Sequence, residues 1–205
     1  MDDVAHLAPE LLATDEEFWL KIREGYELNP AYINLENGYY CMMPEETLKA
    51  YLDNVKQVNF LASRYMRTVQ IDNRNLARQL LADMAGCTFD EVVITRNTTE
   101  SLDLVIGGHN WEKGDEAIYA EQDYGSMKDM FRLMGERFGV VSKMVSLPNH
   151  PKNDEEIVAL YAGQINKKTK LLMISHVVNI TGQVLPVQKI CDMAHQHGVD
   201  VMVDG

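Results

Sequence analysis

Cysteine is scarce in this chain: Cys41, Cys87 and Cys191 lie far apart with no CxxC pair among 205 residues. That spacing excludes a zinc ribbon and a disulfide framework and leaves three reduced thiols. Positive charge is scarce as well. Nineteen Lys and Arg stand against 31 Asp and Glu, a formal net charge of -12, and no segment gathers basic residues as a nucleic-acid reader requires. Long apolar runs are missing. The longest, Leu171 to Ser175 with Val177 and Val178 beyond His176, falls far short of the ~20 residues of a membrane-spanning helix. The first 14 residues carry Asp2 and Asp3 and no positive stretch ahead of an apolar one, so no signal peptide is visible and the cytoplasm is the expected compartment. Export is the alternative if a leader has been removed. Repeats and low-complexity tracts are absent. So are GxGxxG and GxxxxGK[ST], without which a dinucleotide-binding or P-loop reading loses its main support.

What is present is a globular composition, 46% hydrophobic and 24% charged, with enough material for a core. Residues 91–95, 116–120, 140–146, 170–175 and 200–203 read as strands, alternating with helical patterns over 98–108, 126–138, 153–165 and 187–197. Strands alternating with helices imply crossover connections, hence an α/β fold whose sheet is mostly parallel with helices on both faces. Asn97 is the expected N-cap of the 98–108 helix, with Glu100 three residues on and Leu102, Val105 and Ile106 as one apolar stripe. Ahead of residue 90 the pattern is helix-rich, over 16–26, 44–58 and 72–84, with Pro44 suited to a first helical position. The final Val199-Asp-Val-Met-Val-Asp-Gly205 reads as a buried strand ending in an acidic residue and a turn glycine. Such a strand normally feeds a loop and another helix, so the chain is expected to be the first part of a longer protein.

Four polar turns follow apolar segments. In Thr95-Arg-Asn-Thr-Thr-Glu-Ser101, a helix start with flanking hydroxyls suits a phosphate, because unpaired N–H groups and the positive end of the helix dipole face outward there. Capping alone would employ Thr98 and Thr99 equally well. Asp204 stands at a strand tip, where open α/β sheets bind ligands. A buried carboxylate there needs a cationic partner, which a protonated pyridine nitrogen would supply; a helix cap or salt bridge is the plainer role. Ala120-Glu-Gln-Asp-Tyr-Gly-Ser126 places Tyr124 at the same edge with a ring able to stack on a flat ligand. His176-Val-Val-Asn-Ile-Thr-Gly-Gln183 offers the Asn179 amide as both donor and acceptor. Each motif alone is matched by packing or capping; four converging on one sheet edge favour a ligand site.

The order of these motifs resembles the class V aminotransferase family of pyridoxal-phosphate enzymes, which includes cysteine desulfurases and isopenicillin N epimerase-like proteins. The likeness runs from about Tyr32 to Gly205. It is carried by Asn34-Leu-Glu-Asn-Gly38, Arg96-Asn-Thr-Thr-Glu-Ser-Leu102, Gly114-Asp-Glu116, Gln122-Asp-Tyr-Gly125, Ser175-His-Val-Val-Asn-Ile-Thr-Gly182 and Val201-Met-Val-Asp-Gly205. The resemblance implies a fold type I large domain starting at residue 32, behind a helical segment over 1–31. It implies pyridoxal 5'-phosphate as cofactor, an amino acid substrate and a homodimer. Thr98 and Thr99 would hold the cofactor phosphate, Tyr124 would stack on its ring, Asn179 would meet the ring hydroxyl, and Asp204 would pair with the ring nitrogen, keeping the ring an electron sink. Asp204 and Tyr124 are thereby the residues expected at the reacting centre.

Tyrosine rather than histidine at 124, with Asn37-Gly38, resembles the epimerase-like branch, so transamination, epimerisation or β/γ-elimination ranks above cysteine desulfuration. The family's Schiff-base lysine has no counterpart up to Gly205 and is expected beyond it; Lys167, Lys168 and Lys170 read as solvated charges. A non-catalytic relative keeping the fold without the lysine is the alternative of another class. Arg64 and Arg67 read as surface salt-bridge partners, although a substrate carboxylate would also suit them. His195 and His197, two apart on a helix, make a poor metal pair, and no metal site is expected. The twelve methionines suggest soft core packing.

Overall fold

The computed structural model describes residues 7–38 and 40–205. Residues 1–6 of the expected N-terminal helical segment, with Asp2 and Asp3, lie outside the described residues. The chain divides into two compact units, residues 1–92 and 93–205.

The second unit is a parallel α/β layer structure. Its elements are α6 (Thr98–Gly108), β1 (Glu116–Ala120), α7 (Gly125–Phe138), β2 (Val141–Val145), α8 (Asp154–Ala162), β3 (Thr169–Ser175), α9 (Val187–Gln196) and β4 (Asp200–Asp204) in chain order, where the first unit holds α1 to α5. Among the described residues the strands form one parallel sheet in the order β2-β1-β3-β4. Strand β1 is buried along its whole length, as an inner strand covered on both faces must be. Alternate residues serve opposite layers. Ala117, Tyr119, Leu171, Met173 and Met202 pack with Leu102 and Ile106 of α6 and Phe131 of α7. Ile118, Ala120, Leu172 and Ile174 pack with Ile157 and Tyr161 of α8 and Ile190 and Ala194 of α9. The α/β reading is thus the observed architecture, with helices on both faces.

Helix starts follow the polar residues at their caps. Asn97 accepts a hydrogen bond from the Glu100 N–H at 2.9 Å, and Asn153 caps α8 by accepting from the Glu156 N–H at 3.0 Å, so α8 begins at Asp154 and stops before Gly163.

The first unit holds α1 (Pro9–Ala13), α2 (Glu16–Arg23), α3 (Glu45–Leu61), α4 (Ser63–Thr68), α5 (Gln70–Ala85) and a short 3-10 turn over Phe89–Glu91. Pro44 is the N-cap of α3 rather than its first helical residue. Between α3 and α4, Ala62 takes φ +46, a backbone state that costs a residue with a β-carbon.

Residues 91–95, expected as a strand, form none. Two local contacts take this segment's start away from a ladder. Glu91 is drawn into the 3-10 turn by a reciprocal cap with Thr88, and the Val92 carbonyl accepts from Arg78 Nε at 2.9 Å. The same guanidinium binds the Phe89 carbonyl at 2.8 Å and lies 3.8 Å over the Phe89 ring. Val93, 76% exposed, has the β-branched shape of a strand residue, but a ladder needs a neighbour that local propensity cannot provide.

Candidate functional site

In a parallel sheet every strand points its carboxyl end to the same edge, and the order β2-β1-β3-β4 makes the ends of β1, β3 and β4 neighbours. Asp123 and Tyr124 follow β1, Ser175 closes β3 with His176 and Asn179 beyond, and Asp204 closes β4. Ser175 and Asp204 are register partners, so their side chains lie on one face, the face of Met173 and Met202 that α6 and α7 cover. The His176 N–H donates to the Asp204 carbonyl at 2.7 Å, carrying the pairing past the strand.

Helix α6 brings Thr98 to this edge. It packs on β4 and α7, and just beyond its C-terminus His109 Nε2 lies 3.5 Å from Asp200 at the start of β4. The helix therefore runs antiparallel to β4, and its N-terminus points toward the Asp204 end. Asn97 does the capping there, while the N–H groups and hydroxyls of Thr98 and Thr99 have no partner among the described residues. The threonines are thus not employed as caps. An anion at this place would find four donors, opposed by nearby carboxylates; one of them, Glu100, accepts from the Arg96 N–H at 2.7 Å and pairs with its guanidinium at 2.8 Å. Thr99, Asp103 and Leu104 line an open recess with Arg96, Asn97 and Glu100.

The most strongly built part of the site is Asp123, a residue to which the sequence motifs assign no role. Asp123 is 2% exposed. Its Oδ2 accepts from the Ala120 N–H at 2.7 Å and its Oδ1 from the Ser175 hydroxyl at 2.7 Å. Burial pushes the Asp123 carboxyl above its ordinary range; the two donors pull the other way, and the charge of Asp204 adds to the upward push. Burial likewise raises Asp204, whose carboxylate has no hydrogen bond or ion pair among the described residues. Underneath, the buried Tyr161 hydroxyl has no hydrogen-bond partner among the described residues and is held protonated by burial and then by the Asp123 charge. Two carboxylates sit here without a cation among the described residues, an arrangement that favours a positively charged ligand group beside Asp204.

Tyr124 occupies the N-cap position of α7 and is half-buried. Asn179 is exposed in the turn after β3, a loop closed by the Val177–Val184 bridge, by the Gly182 N–H donating to the Val178 carbonyl at 2.7 Å, and by a left-handed Gly182. The side-chain amide of Asn179 has no partner among the described residues. Lys167, Lys168 and Lys170 are exposed around the start of β3, the edge opposite Asp204. Arg64 and Arg67 lie on α4 and form no ion pair among the described residues, so the salt bridge expected there is not made. No group of His, Cys, Asp and Glu suited to a metal occurs among the described residues, nor is any of their helices long and apolar enough to cross a membrane.

The family model for aminotransferase class V matches residues 40–205. Isopenicillin N epimerase from Amycolatopsis lactamdurans is 27% identical over 194 residues, 91% of this chain and 48% of that protein. A probable cysteine desulfurase from Synechocystis sp. is 34% identical over 117 residues, 56% of this chain and 27% of its own length. Among solved structures, the cystine C-S lyase C-DES, in a mutant with glycine covalently linked to its PLP cofactor, superposes with a TM-score of 0.72 at 25% identity over 80% of this chain and 44% of that one. A cysteine desulfurase from Escherichia coli shares the fold at 21% identity with the same TM-score, over 90% of this chain and 47% of its own. The chain spans about half the length of the epimerases it matches, 48% and 47%.

Proposed function

The chain belongs to the aminotransferase class-V family, and we propose that the protein carrying it is a pyridoxal-phosphate-dependent enzyme acting on an amino acid in the manner of isopenicillin N epimerase, by transamination, epimerisation or elimination. The observation that carries this reading is the Asp204 carboxylate at the carboxyl edge, beside the fully bonded Asp123 and without a hydrogen bond or cation among the described residues.

The donors and acceptors fit the cofactor. Asp204 meets the ring nitrogen and keeps it protonated, since an unpaired carboxylate in that place gains most from a cationic N–H. The four unpartnered donors of Thr98 and Thr99 take the phosphate at the start of α6. Asn179 presents its amide to the ring hydroxyl, and Tyr124 lies against the ring face. Bound there, the cofactor supplies an electron sink for a carbanion at the substrate α-carbon. This reading requires a Schiff-base lysine, and none of Lys167, Lys168 and Lys170 stands at the Asp204 edge. A homodimer is part of the same proposal, with the apolar side chains exposed on α3 and α5, such as Tyr51, Val55 and Leu80, as available surface.

Cysteine desulfuration is the second reading, favoured by the desulfurase relatives and by the C-S lyase among the structural neighbours. An absorbance spectrum of the full-length protein, followed by borohydride reduction, tests the main proposal: a visible band abolished by reduction is expected. A colourless protein that takes up no added pyridoxal phosphate would overturn it in favour of a non-catalytic relative. Sulfide release from cysteine by the coloured protein would move the assignment to the desulfurases.

A further inference from the structure

We propose that Asp123 is a positioning residue for Asp204: held at both carboxylate oxygens, it fixes a second negative charge beside Asp204 and tightens the hold of Asp204 on a cationic ring nitrogen. The inference rests on the reading of Asp204 given above and adds a residue to it.

The geometry supports a fixed charge rather than a hydrogen-bond donor. One oxygen takes the Ala120 N–H and the other the Ser175 O–H, each at 2.7 Å. Both partners are donors in that arrangement, so the carboxylate is satisfied without a proton of its own. The two bonds tie the turn after β1 to the end of β3, and Ser175 is the register partner of Asp204 on β4. A charge in the turn after β1 is thereby locked, through one hydroxyl, next to the strand end that carries Asp204. Burial of Asp123 keeps water from screening it. The other titratable groups at this place are Tyr161 on α8, which stays neutral, and Tyr124 and His176 at the strand ends. No Lys or Arg pairs with either aspartate among the described residues. A like charge nearby favours the protonated form of a carboxyl; the Asp204 charge acts on Asp123 in that sense, and in this proposal the effect is mutual, added to the burial that already raises Asp204.

The test uses Asp123→Asn and Ser175→Ala in the full-length protein. Asparagine keeps the size and can still accept from Ala120, so fold integrity, read by circular dichroism and thermal unfolding, is expected to survive. In the ligand-free protein, carbon-labelled Asp204 is expected to titrate at lower pH in the Asp123→Asn variant than in wild type. Affinity for pyridoxal phosphate is expected to fall about three- to tenfold, and nitrogen-labelled cofactor to lose its ring proton at lower pH. Ser175→Ala, which leaves the charge but frees its orientation, should move all three readings the same way by less. Unchanged Asp204 titration and cofactor affinity in a folded Asp123→Asn protein would make Asp123 a merely structural residue and overturn the inference; should that variant not fold, the same result in Ser175→Ala overturns it. A wild-type protein that takes up no cofactor sinks the reading of the site instead, and a shifted Asp204 titration in that protein still upholds the coupling of the two aspartates.

Discussion

The two units of the chain were both built from amphipathic elements, yet only one buries what it patterns. In residues 93–205, two hydrophobic clusters fill the faces of the sheet. In residues 1–92, Ala82 is the one fully buried residue in the helices described. Helix α3 repeats Leu48, Leu52 and Val55 with Tyr51 and Val58 at helical spacing, and each is at least 36% exposed. Periodicity is a request for a partner, and it produces a helix whether or not the partner is present. The buried core and the candidate site residues lie in the unit whose strands supply non-local contacts.

The sharpest way to break that comparison is a pair of truncations. Phe131 is fully buried and stacked on Tyr119 at 4.9 Å between ring centroids, so Phe131→Ala should cost about 3–5 kcal/mol in chemical denaturation. Leu52, 47% exposed on α3, should cost less than about 1 kcal/mol when cut to Ala. Equal losses would mean that the α3 stripe is covered in solution. Next in size, Asp204→Ala in the full-length protein should reduce any turnover by about a hundredfold or more and weaken cofactor binding; wild-type turnover would remove Asp204 from its proposed role. Replacing Thr98 and Thr99 together by Ala should lower cofactor affinity about tenfold with little change in stability, whereas Asn97→Ala should cost about 1 kcal/mol of stability. The reverse pattern would return the threonines to capping. In the first unit, Ala62→Gly should gain about 0.5–1 kcal/mol by relieving a positive φ, seen as a rise in melting temperature; a loss would show that the backbone there relaxes in solution.

The pH dependence sharpens the second unit alone. Burial places the folded Asp123 carboxyl above its unfolded value, so the folded state binds the extra proton, and the charge penalty present at neutral pH is relieved as pH falls through the folded value. The stability of wild type relative to Asp123→Asn should therefore improve on going from neutral to mildly acidic pH, in urea titrations at matched salt. A flat difference would mean that Asp123 titrates alike in the folded and unfolded chain.

How far the sequence could be read depended on the distance over which each feature is decided. The helix at 98–108 and its Asn97 cap are local, and α6 has those bounds and that cap. The strand at 116–120 is an apolar run found as β1. The segment 91–95 is also largely apolar and forms no strand, because Arg78 and Thr88, both outside its span, claim its first backbone and side-chain groups. The Gln122-Asp-Tyr-Gly motif is local, yet nothing within it sets its aspartate apart from an ordinary turn residue. The hydroxyl that makes Asp123 matter lies 52 residues on.

By itself the sequence determined the period of each element, the caps, and the chemistry standing at each turn, because these depend on residues within a few positions of one another. Tertiary structure decided the order β2-β1-β3-β4, the junction of Asp123 with Ser175, and the placement of a second carboxylate beside Asp204. Strand order is set by the burial of two faces at once, and the electrostatics of a site by what that order happens to make adjacent.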